Sequence, residues 1–299
     1  MARPQSLPVW DRKNQRFFEE FLEDHKSTYE TRPRWSPTAW LEAQPSYDWL
    51  VSAMQNMRHS ARKIAPFVKR HKIDMSEFEP VIYRSYAQFF TRKFREGVRP
   101  FTTAPREMAA FAEARYFGWE KVAPDQKLPI KGRSLSPNLI LGDHESARPF
   151  EGGPVLLARL SPVDYHHVHY FDDGKTMSDK HIGGRLWTVQ WKALQSKDDI
   201  LFVNERYVSI LDTKHFGTVA FVEVGAMTVG RIVQVHPLDQ SFERGSEKSF
   251  FCFGGSAIVV FGEPGRWRPC DDILTHTLES TETLVRLGDV VAVSASEHA

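Results

Sequence analysis

The spacing of apolar positions changes character near residue 100. In Asp11–Tyr29, Phe17, Phe18 and Phe21 fall on one face at helical spacing, which predicts a helix. Pro33, Pro37 and Pro45 then break the pattern into short pieces, with Ser36 and Ser46 as candidate N-caps. A longer helix is predicted over Asp48–Lys72, where Leu50, Met54, Met57 and Ile64 or Ala65 recur on one side. A third stretch, Met75–Phe94, ends in the basic run FFTRKFREGVRP. After residue 150 the runs become short and β-like: PVLLARL, LWTVQW, LFVNERYVSIL, TVAFVEVGAM, VGRIVQVH, FFCFGGSAIVVF and GDVVAVSA. They are rich in β-branched and aromatic residues, and Gly, Pro and Asp separate them. Neither a helical period nor a fixed repeat interrupts the series. The expected class is α+β: a helical N-terminal layer over residues 1–100 packed on an antiparallel β-rich domain over 101–299.

Composition narrows the function classes. The chain has 299 residues, enough for one or two domains with a real core. Thirty-nine Lys and Arg stand against 38 Asp and Glu, so no bulk electrostatic case for a nucleic-acid partner exists. Cys252 and Cys270 are too few for a disulfide framework or a four-cysteine zinc site. They are compatible with a reducing, cytoplasmic setting. The start, MARPQSLPVWDRK, has no apolar core of a leader, and no stretch approaches the roughly 20 apolar residues of a membrane span. Peripheral contact with a membrane stays open. Arg92, Lys93, Arg95 and Arg99 read either as a solvated helix end or as a patch for anionic head groups. Trp10, Trp35, Trp40 and Trp49 likewise fit a lipid interface or a core.

Two segments carry chemistry. Ser161–His169 holds three histidines within four positions. In an extended strand His167 and His169 share a face and His166 takes the other. No nearby Cys or Glu completes a metal site, and none is expected. General acid or base work suits imidazole, and a structural role stands beside it. The second segment, Phe250–Phe261, places Gly254-Gly255-Ser256 between two apolar runs. It reads as a glycine kink in a strand, and it is neither a nucleophile elbow nor a P-loop. Glycine also lets the backbone take a strained conformation in which the Ser256 hydroxyl approaches the preceding carbonyl. Attack there would turn the Gly255–Ser256 amide into an ester.

At these residues the chain resembles the phosphatidylserine decarboxylase family of pyruvoyl-dependent enzymes. The landmarks occur in the family's order: FFTRKFREGVRP, IKGRSLSPNLILGD, LSPVDYHHVHYFDDG, NERYV with VGAMTVGRI, ERGSEKSFFCFGGS and a terminal RLGDVVA. They span about residues 75–295, whereas the first 70 residues match only in their helical reading. The resemblance implies self-cleavage between Gly255 and Ser256, giving a β chain of 1–255 and an α chain of 256–299. A pyruvoyl group made from Ser256 would head the α chain, with no need for pyridoxal phosphate. His169 matches the family's cleavage base and His166 the histidine tied to decarboxylation; His167 stands where the family more often has arginine. Glu113 falls where the family has the aspartate of a Pro-Ala-Asp motif, here Phe111-Ala112-Glu113. Ser249, Phe250 and Ala257 are further departures. The implied reaction is decarboxylation of an α-amino carboxylate through a Schiff base, by default phosphatidylserine to phosphatidylethanolamine. A soluble pyruvoyl-dependent decarboxylase of a free (aromatic) amino acid and an uncleaved non-catalytic homologue are the alternatives. A homodimer stays open.

Overall fold

The continuous apolar runs become the middle of one large sheet, where a strand is covered on both faces and has no polar side to show. The computed structural model describes residues 6–21, 53–122, 127–128, 133–187, 189, 199–226, 232–237, 240–252 and 256–295. In chain order the first strands are β1 (Ser6–Asp11), β2 (Arg16–Phe21), β3 (Glu107–Ala109), β4 (Ala114–Trp119), β5 (Lys127–Leu128) and β6 (Arg133–Ser134). There follow β7 (Val155–Leu160), β8 (His167–His169), β9 (Gly174–Ile182), β10 (Arg206–Thr213), β11 (Gly217–Gly225) and β12 (Ile232–Gln234). The last are β13 (Ser241–Phe242), β14 (Glu247–Phe251), β15 (Ser256–Gly262), β16 (Trp267–Pro269), β17 (Glu282–Val285) and β18 (Val290–Ser294).

Ten of them form one sheet in the order β13-β9-β10-β11-β15-β7-β4-β17-β1-β2. Neighbours are antiparallel except β1 with β17. Every residue of β7 and β15 is buried. Alternation divides their side chains between two cores. Leu160, Phe221, Ile258 and Val260 pack with Val168, Ile232 and Phe251 of a small sheet ordered β12-β14-β8. Leu157, Val222, Ala257 and Val259 pack with Ile140, Leu141 and Ile200 from short helices on the opposite face. The large sheet is therefore a middle layer, and the class is α+β.

The helical expectation for the N-terminus is corrected in three places. Asp11–Tyr29 is no helix as far as it is described: β1 and β2 form a hairpin that pairs Trp10 with Phe17 and Val9 with Phe18. Asp11 caps the turn by accepting from the Asn14 backbone at 3.1 Å, and Gln15 takes a positive φ of 49°. The apolar spacing suited either conformation, and pairing of β1 along β17 decides between them. Within the helix expected over Asp48–Lys72, residues 53–56 are helical, a 3-10 turn follows at Arg58–Lys63 and then α1 (Ile64–His71), while 48–52 lie outside the described residues. Pro66 has no N–H to donate and fits only a first helical turn, so the helix restarts beside it. Over Met75–Phe94 only a 3-10 turn and α2 (Tyr86–Phe90) form, α2 starting where Ser85 accepts from the Gln88 backbone at 3.2 Å. Two C-terminal expectations also change. Leu201–Val203, the start of a predicted strand, belongs to a helical turn over Ile200–Val203, and α3 (Asp271–Leu278) interrupts the strand series. The expected pieces around Ser36 and Ser46, and Trp35, Trp40 and Trp49, lie outside the described residues.

Candidate active site

Ser256 opens β15 in the middle of the large sheet, opposite Gly225 of β11 and Leu160 of β7. Its side chain shares the face of Ile258 and Val260, toward the small sheet. The residue is fully buried, and its Oγ has no hydrogen-bond partner among the described residues. A buried hydroxyl without a partner is costly, so such a group marks chemistry or a site to be filled. Gly254 and Gly255 lie outside the described residues.

The histidine strand borders the same small sheet. In β8, Val168 enters the core while His167 and His169 turn to the other side, the alternation expected of a strand. The His169 backbone N–H donates to the Phe111 carbonyl at 2.9 Å. Its ring Nδ1 lies 2.8 Å from the Gly245 carbonyl, an acceptor only, so Nδ1 carries the proton and Nε2 presents a lone pair. The Tyr165 hydroxyl lies 3.4 Å from that Nε2. Burial lowers the pKa of His169, which favours the neutral ring. The arrangement is that of a base with its tautomer fixed.

His166 precedes the strand and is fully buried, its ring 3.9 Å from that of Phe90. Its Nδ1 lies 3.0 Å from the Asp164 carbonyl, and its own carbonyl accepts from the Phe251 backbone at 2.9 Å. That last bond ties it to the strand entering the Gly-Gly-Ser junction. His167 is committed differently: Nδ1 lies 2.6 Å from Glu247 and Nε2 lies 3.1 Å from the Thr91 carbonyl. Burial opposes ionisation of Glu247, but His167 and Lys93 outweigh it and hold its pKa at about 2.

The Glu113 carboxylate accepts from Arg99 Nε at 2.6 Å and Nη2 at 3.0 Å, and from the Leu287 backbone at 3.3 Å. Among the described residues no hydrogen bond joins it to His169. The link runs through the backbone, since Phe111, two residues earlier, holds the His169 N–H. Arg99 also donates to Glu77 at 2.8 Å and has only 6% of its side chain exposed. Arg92, 2% exposed, donates to the Val163 and Asp164 carbonyls at 2.6 and 3.2 Å. These two arginines brace the histidine loop and the acid, where the sequence reading had a solvated or lipid-facing run. Their motif was visible in the sequence, but their partners are too distant along the chain for their burial to be.

Behind the junction, on the other face of the sheet, Arg115 and Arg159 lie directly opposite each other across β4 and β7. Glu20 bridges them at 2.8 and 2.7 Å and accepts from Ser161 Oγ at 2.8 Å. Asp164 pairs with Arg115, yet burial prevails and pushes its pKa up to about 6. Among the described residues no group of three His, Cys, Asp or Glu is placed to hold a metal ion, and no helix is long and apolar enough to cross a membrane.

A buried serine at the head of a central strand and a histidine of fixed tautomer in the facing small sheet are groups suited to nucleophilic chemistry on the chain's own backbone. Comparison with known proteins agrees on the family. The family model described as phosphatidylserine decarboxylase matches residues 86–292. The chain is 35% identical over 247 residues to the phosphatidylserine decarboxylase proenzyme of Ruminiclostridium cellulolyticum, covering 82% of each chain. It is 32% identical over 263 residues to the proenzyme of Chlamydia pneumoniae, covering 87% of each. To phosphatidylserine decarboxylase proenzyme 2 of Clostridium acetobutylicum it is 36% identical over 237 residues, covering 79% of this chain and 80% of that one. The chain belongs to the phosphatidylserine decarboxylase family, a family of carboxy-lyases.

Proposed function

We propose that the chain cleaves itself between Gly255 and Ser256 and then decarboxylates phosphatidylserine to phosphatidylethanolamine. The observation that carries the reading is the Ser256 hydroxyl, buried at the start of β15 and without a hydrogen-bond partner among the described residues. Its relatives are named proenzymes, which fits maturation by cleavage. Their phospholipid name favours a lipid over a free amino acid.

Maturation needs only this chain and water. As the base of this reading, His169 takes the Ser256 hydroxyl proton on Nε2 while Oγ attacks the Gly255 carbonyl carbon, and it returns that proton to the Ser256 nitrogen as the amide C–N bond breaks to leave an ester and a free amine. Removal of the Ser256 α-proton expels Gly255 as a carboxylate and leaves a dehydroalanine. Its tautomer is an imine, which water hydrolyses with loss of ammonia to leave a pyruvoyl group at the head of residues 256–299. When formed, that group supplies a carbonyl that condenses with the substrate amine and accepts the electrons released as CO2 leaves. Ser256 is itself fully buried, so water is kept from its hydroxyl. His166 lies against Phe90, tied to β14, and delivers a proton to the product carbon. Glu113 takes the family's aspartate position, and its charge supports an imidazolium at His169. Arg99 holds that carboxylate in place.

A substrate with two acyl chains requires peripheral contact with a membrane, because free chains in water cost about 0.8 kcal/mol per CH₂. Residues 53–84 carry exposed apolar side chains suited to such contact. Met54, Met57, Val81 and Ile82 are 49%, 52%, 43% and 91% exposed. The basic Arg58, Arg62, Lys63, Lys69 and Arg70 share that segment. Intact-mass measurement tests the core of the reading. The native chain should separate at 255/256 into two masses, the smaller with a blocked N-terminus, while Ser256→Ala stays whole. A folded native chain that remains intact after prolonged incubation refutes it.

A further inference from the structure

A buried polar network that the chemistry above does not use lies on the Ser256 face of the large sheet. Glu223 of β11 is fully buried, and Lys248 Nζ sits 2.7 Å from its Oε2 with the lysine side chain only 2% exposed. Gln234 Nε2 donates to the same oxygen at 2.7 Å, and Gln234 Oε1 accepts from Lys248 at 2.9 Å. Ser249 Oγ donates to the other carboxylate oxygen. Glu223, Lys248 and Ser249 are buried and Gln234 is half-buried, and the network joins β11, β12 and β14.

The registers place this network beside the nucleophile. Glu223 pairs with Ile258 and Gly225 with Ser256, so Glu223 is the diagonal neighbour of Ser256 across β11 and β15, at about 7–8 Å by sheet geometry. Alternation turns both side chains to the same face, and glycine, the residue directly opposite Ser256, has no side chain. Lys248 reaches this place because of a register shift between Glu247 and Ser249 in the pairing of β14 with β8. Glu247 turns outward to His167, and the next two residues both turn inward. A plain strand would have sent one of Lys248 and Ser249 to the other side.

Burying an ammonium and a carboxylate is expensive, and an apolar pair of similar volume usually serves stability as well or better. Stability alone therefore does not account for a bulge that turns a lysine into the core. β14 ends at Phe251, four residues before Gly255 in the chain, and β11 flanks the strand that Ser256 begins. We propose that Glu223 and Lys248 are positioning residues for self-cleavage: their ion pair clamps the end of β14 against β11 and so fixes the approach of the junction to the Ser256 hydroxyl. The inference rests on the maturation proposed above.

The test separates positioning from mere stability. Glu223→Gln, Lys248→Met and the neutral double variant are each made in the native chain, to follow cleavage by intact mass. The same three are made in the uncleavable Ser256→Ala background, to follow thermal unfolding. The double variant should recover the unfolding midpoint lost by either single variant, yet cleave about 100-fold more slowly than the native chain, the cost of misplacing reacting atoms. A double variant that cleaves at the native rate overturns the proposal. Should the double variant not fold, Lys248→Arg decides: it keeps the charge and should cleave faster than Lys248→Met, and equal rates overturn the proposal. A native chain that does not cleave fails the maturation reading itself; a cleaving native chain with a fast double variant fails only the role of this pair.

Discussion

Replacing Glu113 by glutamine tests the acid of the cleavage machinery, and the structure sets the scale. The substitution keeps size and one acceptor oxygen but removes the charge. Glu113 accepts two bonds from Arg99 and one from the Leu287 backbone, and Arg99 keeps Glu77 as a second partner. The loss to folding is therefore near one charge-assisted hydrogen bond, about 1.5–3 kcal/mol. For a chain of this size each kcal/mol lowers the midpoint by roughly 2–4 °C. That leaves the protein folded at room temperature, so a purely structural Glu113 predicts nearly native cleavage. A carboxylate that supports an imidazolium predicts more. Removing its charge from an equivalent hydrogen-bonded set slows chemistry by about 10⁴-fold, and the indirect link here, through the Phe111 carbonyl, sets the expectation at about 10²–10⁴-fold. Cleavage is followed by intact mass, and folding by thermal unfolding in the Ser256→Ala background. Native cleavage kinetics in a measurably destabilised Gln variant would remove Glu113 from the machinery and leave Ser256 with His169 alone.

Other expectations follow from the same contacts. Burial lowers the pKa of His169, so the acid limb of the cleavage rate should fall below the ordinary histidine range near 6.5. The fold binds the His169 proton less well than the unfolded chain does. Its contribution to stability is thus complete above the unfolded pKa and lost as pH falls through the folded one, which denaturant unfolding at several pH values measures. Arg159→Met strips the counter-ion from Glu282, whose side chain is 3% exposed, and should cost about 3–5 kcal/mol in denaturant unfolding. Ile82→Asp places a charge on the most exposed apolar residue of the 53–84 segment. It should weaken sedimentation with phosphatidylserine vesicles while leaving self-cleavage unchanged; undiminished binding would remove this face from the membrane contact.

What could be read in the sequence was whatever is local. Ser256 after two glycines and the histidines of Asp164–His169 form contiguous motifs, and their neighbours in the chain position them. The central strands β7 and β15 were legible because burial on both faces writes an unbroken apolar run. The N-terminal hairpin was not, since β1 finds its hydrogen bonds on β17, more than 270 residues later. The spacing of Phe17, Phe18 and Phe21 is silent about that partner. Arg92 and Arg99 read as solvated because the carbonyls of residues 163 and 164 and the carboxylate of Glu113 reach them only in the folded chain. That Lys248 and Ser249 both turn inward depends on a bulge set by pairing with β8, which no alternation pattern records.

The place of β15 has a consequence for the mature molecule. A cut before Ser256 makes β15 and β17 strands of a separate short polypeptide. In the sheet β15 lies between β11 and β7, and β17 between β4 and β1, all four of them strands of the long polypeptide. The two products are interleaved like fingers of clasped hands, and neither has a complete sheet of its own. Backbone scission therefore releases nothing. Once unfolded, the pieces must meet again and thread two strands into closed positions, a bimolecular task the uncut chain never faces. The precursor should refold from denaturant and its cleaved product should not, and the two fragments expressed apart should fail to reconstitute one molecule on mixing. Such an enzyme can be assembled only once, before it is cut.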